Sequence, residues 1–140
     1  MSKIRKRGAV TVTALCLLGT LVACSTHSVQ ASSVGDRIIA VAGQASDAKD
    51  AALAEGTVVW GADGCMVIEA DMAAFLVVFP HGTTIAEDRK VTFPSGYGIS
   101  AGDQVALGGG FHPADTTDLK NIPEGCLTDE VFWASGEVSE

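Results

Sequence analysis

The sequence is poor in basic side chains and in proline. Its 140 residues contain nine lysines and arginines against 17 aspartates and glutamates, and only four prolines. Because nucleic-acid affinity comes from Lys and Arg neutralising phosphates, this charge balance argues against a nucleic-acid partner. The few prolines and an apolar content of 47% argue against a disordered or collagen-like chain. The length fits one compact domain and is too short for two.

No apolar run in the sequence reaches the roughly 20 residues that a membrane-spanning helix needs. The uncharged stretch near the N-terminus covers only residues 9–23, and it follows four of the nine basic residues, Lys3, Arg5, Lys6 and Arg7. A basic segment followed by a short apolar one is the pattern of a secretory signal. The sequence therefore predicts a signal peptide over residues 1–23 and an exported protein.

The predicted signal peptide ends in Leu21-Val22-Ala23-Cys24, which resembles the lipobox of bacterial lipoproteins. The resemblance implies that Cys24 becomes the first residue of the mature chain and carries a diacylglyceryl group and fatty acids such as palmitate. Two or more acyl chains make membrane residence stable, so the expected location is the outer face of the bacterial cell membrane. The alternative is an ordinary signal peptide, cleaved after Ala23 or near residues 29–31, with no lipid on Cys24.

Cleavage after Ala23 would make the protein strongly acidic. It removes four basic residues and no acidic one, so the remaining 117 residues carry five basic and 17 acidic side chains, a net charge of −12. Such a surface is not attracted to anionic lipid, and the expected membrane contact is therefore the lipid anchor.

The mature sequence divides into a tether and one domain. Residues 24–35 are small and polar, which predicts a flexible tether that lifts the domain off the membrane. Residues 36–140 are predicted to form the single domain, with its core starting at about residue 56. Before that core, residues 36–43 predict a short strand and the alanine-rich residues 47–55 predict one or two helical turns.

Two of the four cysteines remain available for a disulfide. Cys16 lies in the signal peptide and Cys24 is the predicted lipid-attachment residue, which leaves Cys65 and Cys126. Two thiols in an exported domain of this size predict a structural disulfide, and neither has the C-x-x-C spacing of a redox or zinc site. The alternative is a pair of free thiols that bind a soft metal.

From residue 57 onward, short β-branched and aromatic runs separated by glycine predict an all-β domain. The Asp-Gly pair within residues 61–64 predicts a hairpin turn. The apolar run 73–79 predicts a central strand buried on both faces, and glycines 108–110 predict a bend or bulge at a barrel corner. Further strands are expected at residues 90–93, 97–100, 105–107 and 131–138. Five to seven strands favour a small closed or partly open β-barrel of OB-like type, with a β-sandwich as the alternative.

The β-rich region also resembles a group of proteins. The chain is similar to small, uncharacterised actinobacterial lipoproteins over residues 56–140. The similarity implies a compact β-barrel-like domain, a Cys65–Cys126 bridge and no established activity. It is carried by these short motifs: Gly56-Thr57-Val58-Val59, Gly64-Cys65-Met66-Val67, Phe79-Pro80-His81-Gly82-Thr83, Gly102-Asp103-Gln104-Val105, Gly108-Gly109-Gly110, Cys126 and Gly136-Glu137-Val138.

Few residues are candidates for chemistry. His81 and His112 could hold a metal if they met a carboxylate such as Asp71, Asp115 or Glu87, but no spacing requires this. No G-x-S-x-G elbow supports acyl transfer. Four aromatic residues could form a patch for a glycan or peptide, although core packing is the simpler interpretation of both tryptophans: Trp60, Tyr97, Phe111 and Trp133.

These observations predict a non-enzymatic lipoprotein without a cofactor. Its domain would bind a protein or glycan of the cell envelope. The alternatives are a small-ligand or metal-binding lipoprotein and, third, an envelope hydrolase.

Overall fold

A computed structural model describes residues 28–46 and 50–138. The predicted signal peptide and the predicted lipid-attachment residue Cys24 lie outside the described residues. Within the described part, the chain forms strands and two short 3-10 turns, Ala114–Thr116 and Glu124–Cys126, and no α-helix. The strands are β1 (Val29–Val34), β2 (Arg37–Ala42), β3 (Ala52–Trp60), β4 (Met66–Ala70), β5 (Ala73–Phe79), β6 (Thr84–Ile85), β7 (Val91–Thr92), β8 (Gly98–Ile99), β9 (Gln104–Pro113) and β10 (Glu130–Val138).

Five of the strands close into a barrel in the order β5, β10, β9, β3, β4, because β4 pairs back with β5. The β5–β10 pair is parallel, and the other four pairs are antiparallel. Closure leaves no free edge within the ring. This barrel confirms the predicted OB-like architecture and excludes the β-sandwich.

The interior of the barrel is filled by apolar side chains. Three phenylalanines, Phe79, Phe93 and Phe132, are almost completely buried there. The ring of Phe132 lies 4.9 Å from that of Phe111, which in turn lies 4.9 Å from Phe75. A small second sheet, β6–β7–β8, adds buried side chains to the same cluster. The barrel is therefore a packed core and not a channel.

Strands β1 and β2 form a hairpin outside the barrel. Gly35, with a φ of 58°, occupies the first central position of the turn that joins them, a backbone conformation that glycine adopts without steric cost. β2 then pairs in parallel with β5, where Ala40 lies opposite Val78. β4 pairs with the first part of β5, up to Leu76, and β2 pairs with the last part, so the hairpin continues the sheet past the end of the β4–β5 pairing.

The outer layer has its own apolar cluster, formed between the hairpin, the outer face of β5 and β10, and the segment that precedes β10. Its fully or nearly fully buried members are Val29, Ala40, Ala42, Cys65, Leu76, Val78, Leu119, Ile122, Cys126 and Val131. The domain consequently has two cores, one on each side of the barrel wall.

Strand β5 separates these two cores. Val77 and Phe79 belong to the barrel interior, whereas Leu76 and Val78 belong to the outer cluster, and all four are buried. Side chains alternate between the faces of a strand, so an uninterrupted apolar run requires a layer on both sides. This confirms the prediction of a central strand over residues 73–79, with burial on both faces for residues 76–79; Ala73 and Ala74 at its start are exposed.

Two sequence predictions near the start of the domain are wrong. The expected flexible tether, residues 24–35, includes β1. The largely exposed side chains of β1 give no strand pattern in the sequence, and β1 is held by backbone pairing with β2 over its whole length. The expected helical turns at 47–55 overlap β3, which begins at Ala52 and pairs with Gly109 of β9. Residues 47–49 lie outside the described part. In both places a long-range partner overrides the local preference.

The glycine run at 108–110 lies inside β9, and the irregularity expected there appears mainly in the partner strand. Gly109 pairs with Ala134 and Leu107 pairs with Val138, so β10 spans four positions while β9 spans two. A Cβ on Gly109 would collide with the backbone carbonyl oxygen of Trp133. Glycine is needed here because the two backbones approach closely.

The predicted disulfide is present. Cys65 and Cys126 are bonded, with their Cα atoms 5.7 Å apart, and they connect the turn after β3 to the segment before β10. At the same turn, the backbone N–H of Ile38 donates to the carbonyl oxygen of Gly64 at 2.9 Å. The disulfide and this hydrogen bond join the outer layer to the barrel.

Replacing Cys65 and Cys126 together by Ala should lower the free energy of unfolding by about 2–5 kcal/mol, because the unfolded chain would lose a cross-link between residues 61 positions apart. Urea unfolding measures the change. The control is Met72→Ala, since Met72 is 98% exposed and its truncation should leave stability unchanged. An unaltered urea midpoint in the double variant, or two free thiols in the intact protein, would contradict the role given to the disulfide.

Candidate functional site

A cavity of about 290 Å³ lies where the outer layer meets the barrel. Its size is close to the lower limit of small-molecule sites, which run from about 300 to 1,000 Å³. The polar lining comes from widely separated parts of the chain: Gln44, Ser46, Asp50, His81, His112, Thr117 and Ser135. The remaining lining is apolar: Ala42, Ala45, Pro80, Gly109, Trp133 and Ala134. The structure therefore brings both histidines that sequence analysis selected to one cavity.

His81 enters the cavity wall directly after β5. Pro80, the preceding residue, ends that strand, and the Nδ1 atom of His81 lies 3.1 Å from the carbonyl oxygen of Ala42. A carbonyl oxygen only accepts hydrogen bonds, so Nδ1 is the donor. In the neutral imidazole, Nε2 is then the nitrogen with a free lone pair.

His112 lies on β9 and contacts a carboxylate that is distant in sequence. Its Nε2 atom donates to Oδ2 of Asp50 at 3.2 Å, and the two residues are 62 positions apart. The side chains of His112 and Asp50 are 45% and 49% exposed, so water screens this pair and its contribution to stability is small. The contact is better suited to orienting the imidazole than to holding the fold together.

Trp133 completes this side of the cavity. It lies on β10, next to His112 on the neighbouring strand, with ring centroids 6.4 Å apart and ring planes at 80°. Its indole packs against the outer cluster. An apolar surface thus lies directly beside the imidazole and carboxylate of the His112–Asp50 pair.

The glycine run of β9 makes space for Asp50. A Cβ on Gly110 would collide with the Asp50 carboxylate. Glycine at position 110 therefore allows this carboxylate to approach the backbone of β9 beside His112. No signal in the sequence identifies Asp50, because it lies within residues 47–55, the region predicted to be helical, and 62 positions from its partner.

The other three aromatic candidates lie elsewhere, so the predicted aromatic patch is not formed. The Arg37 guanidinium lies 5.4 Å from the ring centroid of Trp60. Phe111 points into the barrel against Phe132, and the Tyr97 ring lies 6.0 Å from that of Phe93. Of the four aromatic residues, Trp133 alone lines the cavity.

No family model, no curated protein and no solved structure matches this chain. Among residues 28–46 and 50–138, no helix is long and apolar enough to cross a membrane.

In the same described residues, no group of three His, Cys, Asp or Glu side chains could hold a metal ion. The carboxylate beside His112 is Asp50, and none of the candidates weighed from the sequence, Asp71, Glu87 and Asp115, lines the cavity.

Titration of the purified protein with micromolar zinc should give no heat of binding above dilution, because a stable zinc site needs at least three protein ligands. Isothermal titration calorimetry measures the heat, and the double variant His81→Ala, His112→Ala is the control. Stoichiometric binding that disappears in the double variant would contradict this expectation and identify the two histidines as ligands.

Proposed function

We propose that this chain is an exported lipoprotein, anchored through Cys24 to the outer face of the bacterial cell membrane, whose β-domain binds a small polar component of the cell envelope. The anchor is supported by the basic segment, the short apolar segment and the Leu21-Val22-Ala23-Cys24 motif. The binding role is supported by the cavity that brings His81, His112, Asp50 and Trp133 together.

The chemistry of the lining favours a sugar as the ligand. Asp50 and Gln44 offer a carboxylate and an amide, and Thr117 offers a hydroxyl, all of which pair with vicinal hydroxyl groups. Trp133 offers an apolar ring against which the less polar face of a sugar can pack. A cavity of about 290 Å³ takes one or two sugar residues and not a protein surface.

Binding is proposed in preference to hydrolysis because the cavity serine on β10 is not paired with a histidine. Ser135 donates its hydroxyl to the carbonyl oxygen of Gly108 at 3.2 Å. A serine nucleophile needs a base within hydrogen-bond distance of its Oγ atom. The Ser135 hydroxyl is instead hydrogen-bonded to a backbone carbonyl oxygen.

An array of mono- and disaccharides probed with the purified protein should identify at least one ligand. The Asp50→Asn variant should bind that ligand about tenfold or more weakly, because a hydrogen bond to a charged group contributes about 1.5–3 kcal/mol. The Kd measured by calorimetry gives the effect. Tyr97→Ala is the control, since Tyr97 is exposed and lies outside the cavity. Absence of any sugar ligand, or an equal loss in Tyr97→Ala, would defeat the proposal.

Cys24→Ala should leave the protein unprocessed or move it out of the membrane fraction, because the acyl chains would have no attachment site. Cell fractionation followed by intact mass measurement tests this. The matched control is Cys16→Ala, which removes a cysteine within the predicted signal peptide and should leave membrane retention unchanged. Unchanged processing and retention of the Cys24→Ala protein would exclude the anchor.

A further inference from the structure

The described chain enters the domain at a fixed point, Ser28. The carbonyl oxygen of Ser28 accepts the N–H of Gly43 at 2.8 Å, and Ser28 also forms a bridge with Asp118. The next residue, Val29, is fully buried, and its N–H donates to the carbonyl oxygen of Asp118 at 3.2 Å. Ser28 is therefore part of the folded domain.

This fixed point lies at the rim of the cavity. Ala42, which pairs with Val29, lines the cavity, and so does Gln44, the residue after Gly43. Thr117, the residue before Asp118, lines it as well. We call this part of the domain, defined by Ser28, Gly43 and Asp118, the entry end.

The entry end is close to Cys24 along the chain. Only three residues, 25–27, separate Cys24 from Ser28. A chain spans at most about 3.3–3.6 Å per residue, so the four steps from Cys24 to Ser28 cover no more than about 14 Å in any conformation. This length is comparable to the radius of gyration of a domain of about 100 residues, about 13 Å. The connection is too short to lift the domain clear of a surface to which Cys24 is attached.

We propose that the entry end lies against the bilayer that holds Cys24, so that the cavity is at the membrane surface. This inference rests on the proposed lipidation of Cys24. The partner surface is the headgroup layer of the membrane, and the ligands within reach of the cavity are polar groups held at that layer. The acidic domain gains no attraction from anionic lipid, so the covalent connection sets the orientation.

The two tryptophans of the protein report on opposite ends of β2. Trp133 lines the cavity together with Ala42, the last residue of β2. Trp60 lies under the guanidinium of Arg37, the first residue of that strand. Arg37 and Ala42 are five residue steps apart along the extended strand, which corresponds to about 17 Å. The sequence contains no other tryptophan, so single substitutions isolate each reporter.

The test uses full-length protein purified from membranes and reconstituted into phosphatidylcholine vesicles that contain dansyl-labelled phosphatidylethanolamine. Energy transfer from tryptophan to dansyl is measured in Trp60→Phe, which retains Trp133, and in Trp133→Phe, which retains Trp60. We expect greater loss of emission from Trp133 than from Trp60. Equal transfer, or greater transfer from Trp60, would overturn the inference.

A lengthened connection provides the matched control. Inserting about twelve Gly and Ser residues after Ser25 in the Trp60→Phe protein should reduce transfer from Trp133, because a flexible linker lets the domain move away. The same insertion after Glu140 should leave transfer unchanged. Intact mass distinguishes failure of the lipid anchor from failure of the proposed orientation. Protein without lipid would disprove the proposed function and this inference together. Lipidated protein with equal transfer from both tryptophans would disprove the inference alone.

Discussion

Burial of β5 on both faces is the constraint on which the rest of the structure depends. Its four consecutive apolar residues from Leu76 to Phe79 cannot be covered by one layer, because neighbouring side chains point in opposite directions. The barrel interior covers Val77 and Phe79, and a second layer covers Leu76 and Val78. A barrel alone would leave a wide apolar stripe in water, so the β1–β2 hairpin and the segment before β10 are needed to complete the fold.

The outer layer depends on connections as well as on packing. It contains one short hairpin and a segment with little regular structure, and it is joined to the barrel by the Cys65–Cys126 disulfide and by the Ile38–Gly64 hydrogen bond. These connections lie at the turn end of the hairpin. The cavity lies toward its other end, where β2 finishes at Ala42 and Trp133 is only partly covered. The candidate site is thus the place where the second layer stops covering the barrel wall.

The elements that were predicted correctly have local signals. The apolar run of β5, the Asp-Gly turn before β4 and the aromatic residues of β10 identify those strands without knowledge of their partners. β1 and the first residues of β3 carry no such pattern, because their side chains are largely polar or small and their backbones are held by partners elsewhere. The same limit applies to the site: His112 was selected by residue type, but its contact with Asp50 arises from the fold.

The corrected boundary of the domain changes its functional interpretation. A tether through residue 35 would make the position of the cavity independent of the anchor, since a flexible linker permits all orientations. Because β1 belongs to the fold, the segment between Cys24 and the domain is short. It joins the domain at the rim of the cavity. The net charge of −12 expected after cleavage opposes adsorption to anionic lipid, so general electrostatic attraction to the membrane does not compete with the anchor in orienting the domain. A lipid at Cys24 would therefore determine both where the protein resides and which end of the barrel meets its ligand.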